Sequence, residues 1–256
     1  MKSNTEYKNA ALSALKGNWA KAVLATVVYM AVMFFAMGPY LYYTMKMQSY
    51  VQENVTATSS SGSFSSIFAE AMERTMALAQ DPEYLALQQK SSGWSAVNFL
   101  LSIFVIMPLS LGFLNAFLRL LKGGENDIPG NMYRIATRNY WHKVWGMFLM
   151  YLFIFLWTLL LIIPGIIKCF SYAMTPFILE ENPELSANEA IDRSRAMMKG
   201  HKFDLFWLFL SFIGWIILAA IPFGLGFLWL TPYMETSVAA FYEDVKADYE
   251  INGGLI

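Results

Sequence analysis

Long apolar stretches separated by shorter polar ones dominate the chain: Ala20 to Tyr43, Trp94 to Leu121, Val144 to Ile163, Ile166 to Leu179, Phe203 to Ile221 and Phe223 to about Tyr242. An apolar run of about twenty residues makes enough α-helix to cross the hydrocarbon of a bilayer. In that medium only structures that pair their backbone groups internally persist, so these runs read as helices. The pattern predicts an all-α polytopic membrane bundle of about six transmembrane helices. The fourth stretch is short enough to be re-entrant. A full span is preferred, because Pro164-Gly165 reads as a hairpin turn and the charged segment Glu180 to Lys202 then returns to the side where the third span began.

Each pair of spans is introduced by a short amphipathic segment and a basic, aromatic junction: ALKGNWAKAV at Ala14 to Val23, ATRNYWHKVW at Ala136 to Trp145, and MMKGHKFDLF at Met197 to Phe206. Prolines follow at similar distances, Pro39, Pro164 and Pro222, and again in the returning spans at Pro108, Pro176 and Pro232. Three helical hairpins, each preceded by an amphipathic interfacial helix, is the simplest architecture, although proline, lysine and tryptophan recur in membrane proteins without repetition. The third short helix is the best specified. Ser186 and Glu189 form a capping box, Leu185 and Ala190 a hydrophobic staple, and Gly200 a stop. Ala187, Ala190, Ile191, Ser194 and Met198 share one face, which suits the membrane interface or the bundle floor. Ser3 and Glu6 offer a similar box before Tyr7, Ala11, Ala14 and Leu15, and the middle helix runs from about Ile128 to Asn139.

Between the first two spans the character changes. Residues 44–93 read as an extracytoplasmic insertion in an otherwise single membrane domain of residues 1–256. Thr56 to Ser66 is a flexible polar linker, and the spacing of Ile67, Phe68, Ala71, Met72 and Thr75 predicts an amphipathic helix over Ser66 to Ala79, ended near Asp81-Pro82. The triplet Asn54-Val55-Thr56 fits a glycosylation acceptor, but such triplets are common by chance.

Composition agrees with a membrane protein: 57% of residues are hydrophobic and 14% charged, against about a quarter charged in soluble domains. A net charge of −1 without a basic face sets nucleic acid aside as a partner. The single Cys169 excludes an internal disulfide and a cysteine metal cluster. No short apolar leader with a cleavage site precedes the first span, which is expected to stay attached as an anchor. With both termini inside, only Lys46, Arg74, Lys90 and Lys168 of the 18 lysines and arginines fall outside, which obeys the positive-inside rule.

Ionisable groups within the spans are the candidates for function. Glu235 leads, three residues after Pro232: its carboxylate suits a proton or cation, and a hydrogen-bonded helix lock is the plainer alternative. Lys168 is placed at the outer interface by snorkelling, with an anionic ligand as the sharper reading. His142 and His201 fall at comparable junctions, at one depth, where a pair would sense pH or hold a metal and an interfacial role is the simpler account. Glu180, Glu181 and Glu184 suit either a divalent ion or a solvated turn after Leu179. Ser110, Gly112, Asn115, Ser171, Ser211, Gly214, Gly224 and Gly226 permit close helix packing first and line a pathway second. No zinc-protease, nucleophile-elbow or phosphate-loop motif occurs, so neither an enzyme nor a cofactor is expected.

The segments LLLIIPGIIK at Leu159 to Lys168, ANEAIDRSRAMMKGHK at Ala187 to Lys202, LSFIGW at Leu210 to Trp215, and GLGFLWLTPY from Gly224 followed by AAFYED resemble the bacterial integral-membrane family termed domain-of-unknown-function 975. ALKGNWAKAVL and PLSLGF, from Pro108, resemble it too. The resemblance implies a multi-span protein of the bacterial cytoplasmic membrane and transfers no catalytic or binding residue. The expected role is a non-enzymatic scaffold whose partners are the lipid bilayer and another membrane protein. A small transporter centred on Glu235 is the rival, and a sensor using the outer segment a third option.

Overall fold

A computed structural model describes residues 1–55, 63–124 and 127–251. Among these, helices account for nearly all regular structure: α1 (Asn4–Leu15), α2 (Trp19–Val55), α3 (Phe64–Leu78), α4 (Pro82–Leu101), a π-helical turn (Ser102–Ile106) leading into α5 (Met107–Leu121), α6 (Ile128–Thr137), α7 (Tyr140–Leu160), α8 (Ile162–Tyr172), α9 (Thr175–Glu181), α10 (Ala187–Met197), α11 (Lys202–Leu210), α12 (Ile213–Ala220) and α13 (Phe227–Ile251). Among the described residues, five helical stretches are long and apolar enough to cross a membrane: Trp19–Asn54, Pro82–Leu121, Tyr140–Leu160, Ile162–Glu181 and Lys202–Ala220. The expected sixth, α13, falls short because Pro232 and Glu235 interrupt its apolar half and Glu243, Asp244 and Lys246 follow. Its residues from Thr236 to Tyr242 are buried instead among neighbouring helices.

The chain divides into two compact units, Met1–Ala31 with Ile103–Ile256, and Val32–Ser102. In the larger, the three short amphipathic helices α1, α6 and α10 bury their apolar faces within the bundle. Both capping boxes form as the sequence predicts, at Ser3 with Glu6 and at Ser186 with Glu189, while Asp127 accepts from the Gly130 N–H to start α6. Gly112 lets α6 lie directly on α5, since a Cβ there would meet the Met132 carbonyl at 2.3 Å. Each short helix is followed by a residue in the left-handed region, Gly17, Asn139 and Gly200. Five residues beyond each comes a buried side chain that seats the next helix: Ala22, Val144 and Leu205. The threefold resemblance therefore extends to backbone geometry.

The α7–α8 reversal occurs at the extended residue Leu161, not at Pro164-Gly165. Pro164 occupies the first turn of α8, where its missing N–H has no intrahelical partner to lose. Gly165 allows the close return, because a Cβ would sit 2.3 Å from the Thr158 hydroxyl.

Three interruptions in the apolar helices are each closed by a side chain from elsewhere. At the α8–α9 break, the Ser194 hydroxyl of α10 donates to the Ser171 carbonyl (3.0 Å) and accepts the Met174 N–H (3.2 Å). At the α11–α12 break, Lys8 of α1 donates to the Ser211 carbonyl (2.9 Å) and lies 4.2 Å above the Phe212 ring. In the π-helical turn the Phe104 carbonyl accepts from the Tyr140 hydroxyl. An unpaired peptide group in an apolar medium costs several kcal/mol, roughly 2 to 7, so these donors make the irregular backbone tolerable.

The smaller unit is an antiparallel pairing of α2 with α4. Asn98 Nδ2 donates to the Ala36 carbonyl (3.0 Å), Lys90 lies 5.9 Å from the Tyr43 ring, and the Tyr50 hydroxyl donates to Asp81 (3.0 Å), which caps α4. With 37 residues, α2 is about 55 Å long and exceeds the roughly 30 Å of bilayer hydrocarbon. The amphipathic helix predicted from Ser66 is present as α3, but Phe64, Phe68, Met72 and Met76 form an exposed stripe along it. The predicted linker lies for the most part, at residues 56–62, outside the described residues, as does Thr56 of the glycosylation triplet.

Candidate functional site

Charged side chains converge in the larger unit where α5, α7, α9 and α13 meet. Arg119 and Lys122 close the last turn of α5, three residues apart and on one face. Cations there complement the partial negative charge of a helix C-terminus. Lys143 opens α7 and is 1% exposed. Glu180 and Glu181 end α9, continuing an apolar helix with no turn between, so the solvated turn begins only at Asn182. Tyr242, Glu243 and Lys246 project from α13.

Glu180 accepts from Arg119 (2.8 Å) on one oxygen and Lys143 (2.5 Å) on the other, and Lys143 also donates to the Ile135 carbonyl of α6. Glu181 pairs with Lys122 on one oxygen and accepts from Tyr242 (2.7 Å) and Lys246 (2.6 Å) on the other. Lys122 bridges further to Glu243 at 3.0 Å. Burial acts to lower the Lys122 pKa, but hydrogen bonds to Glu181 and Glu243 outweigh it and hold the ammonium above its ordinary value. Phe177 stacks on Tyr242 at 4.7 Å and fixes the ring that serves Glu181.

Beside the network lies a cavity of about 310 Å³ lined in part by Asn115, Arg119, Lys122, Arg138 and Glu180. Asn115 donates to the Leu111 and Pro176 carbonyls (3.0 Å each), while its buried Oδ1 has no partner. The arrangement is a set of clamps: two carboxylates hold four helices through their cations. With every oxygen of Glu180 and Glu181 so engaged, the divalent-ion reading loses its ligands. Glu184 stands apart and exposed.

The four residues singled out from the sequence lie elsewhere. Glu235 is half-buried on α13, within electrostatic reach of Tyr29 and Tyr151, and makes no hydrogen bond or ion pair among the described residues. Lys168 sits over the Trp157 ring at 4.5 Å and 5.7 Å from that of Tyr172. It is also within electrostatic reach of Arg195 and Lys202. His201 faces Asp204 (3.4 Å) and Asp248 (3.2 Å), whereas His142 leaves a buried Nε2 unpartnered. The histidines differ in register, His201 directly following left-handed Gly200 and His142 lying three residues beyond Asn139. Among the described residues no group of His, Cys, Asp and Glu suits a metal ion.

The clamp escaped sequence reading because its partners lie 37 residues apart or more. Its available signal was an acidic pair continuing an apolar helix and a lysine, Lys143, amid Trp141, Val144 and Trp145. Compared with known proteins, residues 1–249 match the family described as "Protein of unknown function (DUF975)". No curated protein and no solved structure matches the chain.

Proposed function

Because the chain belongs to the DUF975 family, whose description assigns no activity, its role rests on its own residues, and we propose a non-enzymatic integral membrane protein that organises lipid or a partner membrane protein. One observation carries this reading: the charges of the bundle clamp helices to one another, while broad apolar surfaces such as Phe34, Phe35, Phe155 and Leu159 remain uncovered. Such a construction holds a shape and presents a surface. We place it in the bacterial cytoplasmic membrane as a multi-pass protein with both termini cytoplasmic. Support comes from Tyr7 and the Lys2 N–H, which bind Asp244 at 2.6 and 2.8 Å and set the two chain ends together. On this reading α13 makes the sixth crossing, its polar residues shielded by protein rather than exposed to lipid.

Reconstituted alone into vesicles, the protein is expected to support no specific solute flux, and such flux would overturn the scaffold. A transporter is the second reading, favoured by the unpartnered Glu235 carboxylate beside Pro232. If it holds, Glu235→Gln abolishes flux at normal expression; an unaltered phenotype counts against it.

A further inference from the structure

Two cavities adjoin at Lys202. One, of about 340 Å³, is apolar and runs between α8 and α11 along Ile166, Ile167, Phe170, Phe203 and Phe206. The other, of about 780 Å³, is an open polar cleft bordered by α10 and the start of α11, with Arg195, Lys199 and Lys202 on its walls. Its acids are already engaged: Glu189 in the capping box and Asp192 with Arg195 at 3.0 Å. Lys168, Lys199 and Lys202 form no ion pair among the described residues.

We propose that this compound cleft binds an acidic phospholipid of the surrounding bilayer, its phosphate among Arg195, Lys199 and Lys202 and an acyl chain along Ile167, Phe170 and Phe206. A free anion would answer the cations and leave the apolar groove bare. A neutral apolar guest would cover the groove and leave the cations unanswered. A phospholipid does both, and the shared Lys202 puts the headgroup and chain portions in the order that a lipid requires. The inference deepens the lipid-organising role and rests on it.

The test is retention of phosphatidylglycerol against phosphatidylcholine by the intact, detergent-purified protein, read by native mass spectrometry, with a photoactivatable acyl-chain phosphatidylglycerol to map the site. Wild type is expected to prefer phosphatidylglycerol and to crosslink within residues 166–170 and 203–206. Lys199→Gln and Lys202→Gln each lower that preference by about fivefold, the effect of one basic charge near an acidic headgroup. Lys199→Arg and Lys202→Arg, which keep the charge, retain it. Equal retention by wild type and the Gln variants, crosslinks elsewhere, or displacement by inorganic phosphate alone would each overturn the site. Flux in vesicles with the preference intact would overturn the scaffold and leave the lipid site standing; no flux and no preference would do the reverse.

Discussion

The two units solve the problem of building with apolar helices in opposite ways. The larger closes three helix breaks with donors from other helices and clamps four helices through Glu180 and Glu181. The smaller pairs two long helices through a few polar contacts and leaves the apolar stripe of α3 uncovered. Regular helices need no help in a bilayer, because they satisfy their own backbone. Broken ones do, and so the larger unit carries side-chain cross-links at its breaks that the smaller one lacks.

The sharpest way to break this comparison is to remove a clamp. Glu180→Gln leaves Lys143 buried without a counter-charge and is expected to cost about 3 to 5 kcal/mol, measured by thermal or denaturant unfolding in detergent. A loss no greater than that of a surface substitution would dissolve the distinction between the units. Ser194→Ala removes both hydrogen bonds at the α8–α9 break and should cost about 1 to 3 kcal/mol, with faster amide exchange at Met174. In the smaller unit, Tyr50→Phe deletes the bond to Asp81 and should cost about 0.5 to 1.5 kcal/mol, while leaving exchange in α8 and α9 unchanged.

Acid should have the smallest effect, and it touches both units. Hydrogen bonds from Ser3 and Ser186 hold the Glu6 and Glu189 carboxyls below their ordinary 4.5, and backbone N–H groups of Tyr84 and Glu83 help hold Asp81 below 3.8. A carboxyl whose folded value is depressed stabilises above its unfolded value and loses that contribution as pH falls through the folded one. The first turns of α1, α4 and α10 should therefore fray below about pH 4 and hold at neutral pH, as amide exchange would record.

Much of this fold was legible in the sequence. Apolar runs located the five long stretches, and the Ser3–Glu6 and Ser186–Glu189 spacings located α1 and α10, because capping is a local event. The sixth expected span, over Phe223 to about Tyr242, is absent from the long apolar stretches because hydropathy does not distinguish a polar residue packed on protein from one that rules out a span. The α7–α8 turn was misplaced because proline also suits a helix start, the role Pro164 takes at α8. The reach of α2 was underestimated because the polar residues after Lys46 contain neither glycine nor proline before Val55. The site candidates fared differently: Glu235 stands out by composition, whereas the Glu180 and Glu181 clamps depend on pairings that no local pattern encodes.

The donors at the helix breaks also impose a schedule on synthesis. Met174 waits for Ser194, a partner made twenty residues later, so the fourth apolar stretch cannot settle as it leaves the ribosome. Lys8 waits for Ser211, and Tyr7 for Asp244, across nearly the whole chain. The contacts that hold the first helix are therefore complete only once α13 has been made, and that seam is among the last to close.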